Sequence, residues 1–344
     1  MKKILILLFA FLLTVSLQAQ SSSDTPYMTK SLSADNVREV FARTSGGGIS
    51  VTGVSASEAR IEVYVKSPNN KNSLSKEEIK ERLDELYRLD VSVSTNKLTA
   101  TAEAKKSNMN WDRGLSISFK IYVPESVSTD LSTSGGSIDL TNLSGTQNFS
   151  TSGGGLDLTK LSGKVRGRTS GGSINVSESK DDINLATSGG GIDAENCSGN
   201  IRLNTSGGSI NLKGLNGNIE AETSGGTVRG QRIKGELFAR TSGGRIALTE
   251  IACSLDASTS GGGVDIEISE VGKFITVSNS GGNVMVKMPG NKGLNLKLRG
   301  DKIKTASLNN FSGEQDENSI TGKINGGGVP VSISTSGNLT FTLN

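Results

Sequence analysis

The tetrapeptide Thr-Ser-Gly-Gly begins at Thr133 and returns at Thr151, Thr169, Thr187, Thr205, Thr223, Thr241 and Thr259, each time after 18 residues. An altered copy, Asn279-Ser280-Gly281-Gly282, follows after 20. One tetrapeptide constrains little. A fixed period of this length identifies an array whose repeats are too small to bury an apolar face alone and must stack on their neighbours.

Counted from its threonine, position 6 of the repeat is Ile138, Leu156, Ile174, Ile192, Ile210, Val228, Ile246 and Val264. Position 8 is mostly apolar (Leu140, Leu158, Val176, Leu212, Leu248, Ile266), as is position 11 (Leu143, Leu161, Cys197, Leu215, Ile233, Ile251). Positions 15 and 17 are apolar or small, as in Ile183/Leu185 and Ile201/Leu203, and position 13 is often glycine (Gly145, Gly163, Gly199, Gly217, Gly235). Alternation of period two gives two short strands per repeat, separated by two turns. The Gly-Gly pair is expected to form one corner through a positive φ, and the glycine at position 13 the other. The threonine continues the inward parity of positions 15 and 17, so its hydroxyl is expected to be buried and to satisfy corner backbone groups. An outward threonine array that orders water, as in ice-binding solenoids, is the competing use. The expected fold is all-β: a single-stranded parallel β-solenoid (β-helix) of 18-residue coils. An apolar fraction of only 33% suits its narrow core.

The flanks break the rhythm. Met1-Lys2-Lys3, an apolar run from Ile4 to Leu13 and the small residue Ala19 read as a signal peptide over 1–19, too short to span a bilayer. No later stretch is apolar enough to cross a membrane. Residues 20–36 are polar and patternless, a flexible lead. Glu39 to Gly47 (EVFARTSGG) closely matches Glu236 to Gly244 (ELFARTSGG), so the solenoid domain is placed at 37–344 with an early repeat far from its siblings. Between them, 66–114 is an insertion. Ser75 and Glu78 form a capping box for a helix over about 76–89. A hairpin turns at Thr95-Asn96-Lys97, and a polar loop carries Trp111. Leu115, Ile117, Phe119, Ile121 and Val123 alternate as a strand that rejoins the array. Regular coils are expected over 133–290, a loop over 309–328 and a C-terminal cap over 300–344.

Removing Lys2 and Lys3 lowers the formal net charge from +3 to +1, with both signs interspersed, which excludes the basic stripe a nucleic-acid partner needs. Histidine is absent, and with it the usual general base and commonest metal ligand. The two cysteines, Cys197 and Cys253, fall three coils apart, or roughly 14 Å at 4.8 Å per coil, too far for a disulfide; two buried thiols are expected.

Several rows could carry chemistry. Position 7 is Asp139, Asp157, Asn175, Asp193, Asn211, Arg229, Ala247 and Asp265. An acidic row beside a Gly-Gly corner suggests calcium, but the calcium β-roll order G-G-x-G-x-D is not kept, and a solvated face is the expectation. No cofactor or metal is expected. A polysaccharide lyase or hydrolase on a β-helix needs acids gathered in a groove by long loops. Asp112, Glu314, Asp316 and Glu317 occur in the irregular segments without such a constellation. Trp111 is either a sugar platform or a cover for the first coil. The exposed ladder Ser134, Ser152, Ser170, Ser188 and Ser206, with Asp139, Asp157 and Asp193 beside it, is the candidate repeated contact surface.

The T-S-G-G-G-I-S-V unit at Thr44 to Val51, Val123-Pro124, the T-S-G-G-x-I-x-L units and the closing S-T-S-G-N-L at Ser334 to Leu339 together resemble the bacterial "putative adhesin" family of exported β-strand-repeat proteins, a domain of unknown function. The resemblance covers about 37–344 and implies a fold, with no catalytic residues to carry over. The function expected is that of an exported, non-enzymatic adhesin or cell-envelope interaction protein. It would meet a glycan or protein ligand in the periplasm, at the cell surface or outside. The alternatives are a β-helix lyase or hydrolase and a periplasmic structural or stress protein without its own ligand.

Overall fold

The computed structural model describes residues 25–68, 74–106 and 113–344. The signal-peptide segment 1–19, Trp111 and Asp112 lie outside them. The described chain is nearly all β, with one α-helix, Lys76–Leu86. Its strands join one long sheet whose central pairings are parallel. Leu156 pairs with Ile174, Ile174 with Ile192, Ile192 with Ile210, Ile210 with Val228 and Val228 with Ile246. The second strand of each repeat keeps the same step, from Val165 through Ile183, Ile201, Ile219 and Leu237 to Leu255. Leu255 then meets Ile275, the two extra residues of that repeat being absorbed by register shifts. Positions 6, 8, 11, 15 and 17 of successive repeats supply one continuous buried core.

The Thr-Ser-Gly-Gly corner works differently from the expectation. None of its glycines has a positive φ. The second glycine is required by proximity: a Cβ on Gly190 would lie 2.1 Å from the carbonyl oxygen of Gly172, and one on Gly208 2.0 Å from that of Gly190. The first glycine is roomier, a Cβ on Gly189 standing 3.5 Å from the nearest oxygens. The left-handed residues lie instead at position 10, where Asn142, Lys160, Glu178, Asn196, Arg232 and Glu250 have φ of 51–57°. Position 13 does turn through positive φ, from 94° at Gly163 to 130° at Gly217, and Asp181 takes 80° in the same place.

The threonines are buried, at 4–6% exposure from Thr133 to Thr259. Each hydroxyl donates to the second-glycine carbonyl of the preceding rung, as Thr151 does to Gly136 and Thr205 to Gly190, both at 2.8 Å. It also accepts from the second-glycine N–H of its own corner, Gly154 to Thr151 at 3.3 Å. Asn279 replaces one hydroxyl with an amide that performs both tasks. Its Nδ2 donates to Gly262 O at 2.9 Å, and its Oδ1 accepts from Gly282 N at 3.1 Å. Cys197 and Cys253 are buried and unbridged. Burial pushes the Cys253 thiol up to about 12, with Glu236 adding to the shift, and raises that of Cys197.

Both ends break sequence order in the same way. Strands Glu39–Thr44 and Ile49–Val54 lie between Lys97–Ala104 and Ser116–Pro124 on one side and Ser128–Thr133 and Ile138–Ser150 on the other, all in parallel. At the far end, Val329–Thr335 and Leu339–Leu343 lie between Val264–Asn279 and Val284–Met288 on one side and Leu294–Arg299 and Ile303–Thr305 on the other. The first and last repeats in sequence are therefore paired on both sides. Antiparallel strands cover the outer rungs: Arg60–Lys66 and Tyr87–Ser94 at the N-terminal end, Ser319–Ile324 at the C-terminal end. This arrangement limits the free parallel edge on which another chain could build.

Three local expectations are corrected. The helix stops at Leu86 rather than near 89, because Tyr87 is already extended and buried, its hydroxyl bonded to Leu115 O and N at 3.2 and 2.9 Å. The helix start holds, with Ser75 accepting from Glu78 N at 3.1 Å. Part of the polar lead is a strand, Met28–Ser31, antiparallel to Arg60–Lys66, with Leu32 and Val37 buried beyond it. The expected loop over 309–328 contains a hairpin, Phe311–Gln315 against Ser319–Ile324.

Candidate contact surface

Two outward faces run along the array. The short strand of each repeat exposes position 7 on one; the longer strand exposes positions 14, 16 and 18 on the other. The serine row, Ser134, Ser152, Ser170, Ser188 and Ser206, is exposed at the corner beside the first face. Its backbone is committed to stacking, since Ser134 O accepts from Gly153 N at 2.8 Å and Ser188 O from Gly207 N at 3.0 Å.

The position-7 row is largely occupied by its own neighbours. Asn175 Nδ2 donates to Asp157 Oδ1 at 2.7 Å, and Asn211 Nδ2 to Asp193 Oδ1 at 2.6 Å. Asp265 is held by Arg245 at 2.9 Å. Asp139 has no such amide. Burial, then the adjacent Asp157 carboxylate, raise it above the usual carboxylate range. Among the described residues no group of three or more metal-ligating side chains is close enough to hold an ion. In the C-terminal hairpin Glu317 pairs with Lys302 at 3.1 Å, while Glu314 stands on the exposed strand and Asp316 at its turn.

The second face was not singled out by sequence, because its residue types vary from rung to rung. Position 16 reads Asp130, Asn148, Arg166, Asn184, Arg202, Glu220 and Phe238 on seven consecutive rungs. Two shallow depressions of about 400 and 420 Å³ flank this row, the first between positions 16 and 18 and the second between positions 14 and 16, with Arg166 and Asn184 bounding both. The floor of the first is shaped by a complementary pair: Gly167 leaves the space that the Phe149 ring fills, 2.1 Å from where a Gly167 Cβ would be. Arg202 and Glu220 close to 2.7 Å, and Arg166 stands 3.7 Å from Asp182.

A third cluster covers the N-terminal end. Glu62 accepts from Arg60 Nε and from the Tyr64 hydroxyl, each at 2.8 Å. Arg60 stacks on Tyr122 at 3.8 Å and Lys120 on Tyr64 at 4.8 Å. Burial pushes the Glu62 carboxyl up, but the bonds from Arg60 and Tyr64 outweigh it and hold it below the usual range. Burial, then the bond to Glu62, push the Tyr64 phenol up to about 12. With its ring faces covered by cations, this network works as a clasp over the end rather than as an open platform.

No family model and no curated protein matches the chain. Among solved structures it is similar to a "putative cell adhesion protein" from Clostridium sporogenes ATCC 15579, at 11% identity and a TM-score of 0.20, over 92% of this chain and 98% of that one. It is also similar to a "putative adhesin" from Bacteroides fragilis NCTC 9343, at 14% identity and a TM-score of 0.25, over 92% and 96%. At these TM-scores neither superposition transfers a residue or a ligand to this chain. Among the described residues no helix is long and apolar enough to cross a membrane, which says nothing of strands.

Proposed function

We propose that the chain is an exported, non-enzymatic parallel β-solenoid that acts as an adhesin-like interaction protein of the cell envelope. The observation that carries this reading is the fixed 18-residue register, which lays out side chains as parallel outward rows. Such rows suit many weak, repeated contacts, whose joint strength exceeds that of any one. Four of the acidic side chains that sequence marked for chemistry, Asp157, Asp193, Asp265 and Glu317, are tied to neighbouring amides or cations, which supports a passive role. The basic and apolar opening of the sequence supports export.

Labelling of intact cells with a membrane-impermeant reagent tests the reading. Labelling without permeabilisation is expected. Labelling only after permeabilisation would favour a periplasmic spacer and sink the adhesin reading.

A further inference from the structure

We propose that the position-16 row from Asp130 to Phe238, with the depression on either side of it, binds a neutral, linear polysaccharide lying across the rungs. This deepens the adhesin reading by naming its ligand class. The first observation is a difference between the two faces. On the position-7 face the asparagine amides are engaged by neighbouring carboxylates. On the position-16 face Asn218 donates to Asn200 at 3.2 Å, but the side-chain amides of Asn148 and Asn184 are exposed and make no hydrogen bond within the described chain, and they flank Arg166 on successive rungs. Free amides present a donor and an acceptor together. That is the pattern a sugar hydroxyl, itself both donor and acceptor, can meet on these two rungs.

The other features exclude competing ligand classes. The lining carboxylates Asp130, Asp182 and Glu220 balance the guanidiniums Arg166, Arg168 and Arg202, so a polyanion gains no net attraction. The backbone N–H and C=O groups of these strands are paired rung to rung, leaving no ladder for an extended peptide. The surface is polar, with Phe238 as the one aromatic ring among the seven position-16 residues from Asp130 to Phe238, half-buried at the far end of that stretch. It therefore lacks the apolar stripe that an amphipathic helix requires, yet offers one ring for the C–H face of a sugar. Six rung-to-rung steps separate Asp130 from Phe238, a length of roughly 29 Å at 4.8 Å per step, enough for several sugar units.

The test is affinity electrophoresis of the purified full chain in native gels cast with hydroxyethylcellulose, xylan or dextran, and in parallel with polygalacturonate or heparin. Retardation by at least one neutral polymer is expected, little changed by added salt because no net charge drives it. Asn148→Ala and Asn184→Ala should each weaken it about threefold, and together about tenfold, as expected for lost neutral hydrogen bonds. Asn175→Ala, on the other face, should leave it unchanged. Retardation by the acidic polymers alone, by no neutral polymer, or undiminished in the double variant would overturn the proposal. Because the assay uses purified protein, its outcome is independent of where the chain resides in the cell, which the labelling experiment decides.

Discussion

In the centre of the molecule, sequence order and spatial order coincide; at both ends they do not. From Thr151 to Arg240 each repeat contacts the repeat before and the repeat after, 18 residues away. At the N-terminal end Ile49 pairs with Phe119 and Ile138, so its partners are 70 and 89 residues distant. At the C-terminal end Val331 meets Ile275 and Leu296, 56 and 35 residues away. The centre is built from local, interchangeable contacts. The ends are closed by long-range ones that each occur once. Stability should accordingly be modular in the middle and all-or-none at the ends.

The largest expected effect tests this difference directly. Deleting one internal repeat, Thr187 to Asn204, joins position 18 to position 1 and preserves every register. Deleting 329–344, a segment of similar size, strips one partner from both Val264–Asn279 and Leu294–Arg299. We expect the internal deletion to remain folded with a modest fall in Tm. The terminal deletion should lose more than about 4 kcal/mol and associate through its freed edges. Denaturant unfolding with size-exclusion chromatography reads both. Equal losses in the two variants would remove the distinction.

The next effect lies inside the repeated corner. Gly190→Ala forces a Cβ into backbone that cannot yield without parting two rungs, and should cost more than about 3 kcal/mol. Gly189→Ala, one residue earlier, meets ordinary contacts and should cost less than about 1 kcal/mol. Denaturation midpoints of the two variants settle whether the second glycine is required by the neighbouring rung, as argued above. Similar midpoints would return the explanation to local backbone freedom.

Much of the centre is legible in the sequence, and the reason is repetition. Inward positions 6, 8, 11, 15 and 17 recur with their apolar character, and the threonine's parity correctly foretells its burial. What escapes is whatever depends on an adjacent rung. The need for Gly190 is invisible in its own repeat, because the atom it would strike belongs to Gly172. Position 10 hides for the opposite reason: Asn142, Lys160, Glu178 and Arg232 share a conformation without sharing a chemistry. The position-16 row escapes likewise, since Asn148, Arg166 and Phe238 show no common type although they are in register. At the ends, the match between Glu39 to Gly47 and Glu236 to Gly244 reveals that the early segment is a repeat, but likeness cannot say between which neighbours it fits.

The threonine ladder offers a smaller effect. Thr205→Val keeps shape but leaves Gly190 O without its side-chain donor and Gly208 N without its acceptor. A loss of about 1–3 kcal/mol is expected in denaturant unfolding. Thr205→Asn should recover part of it, because Asn279 already does both tasks elsewhere in the same row. Failure of asparagine to recover any stability would mean that the 20-residue repeat, not the amide, accommodates Asn279.

The smallest effect lies where the early repeat meets the array. Asp139 stands between Ser50 and Asp157, and unlike Asp157 and Asp193 it has no amide on the next rung. Burial and the neighbouring carboxylate raise its folded-state pKa above that of the unfolded chain, about 3.9. The folded state thus binds this proton more tightly than the unfolded state does. Its contribution to stability is full below the unfolded pKa and is lost as pH rises through the folded one. At neutral pH the ionised side chain is therefore a local liability. Asp139→Asn should relieve it, stabilising the chain by roughly 0.2–1 kcal/mol, the scale of a cross-strand side-chain pair. Acidification should shrink the gain, as the wild-type carboxyl takes up its proton and comes to resemble the amide. Paired unfolding curves at neutral and acidic pH measure this. A gain that persisted at acidic pH would show that the amide acts through packing or hydrogen bonding rather than through charge.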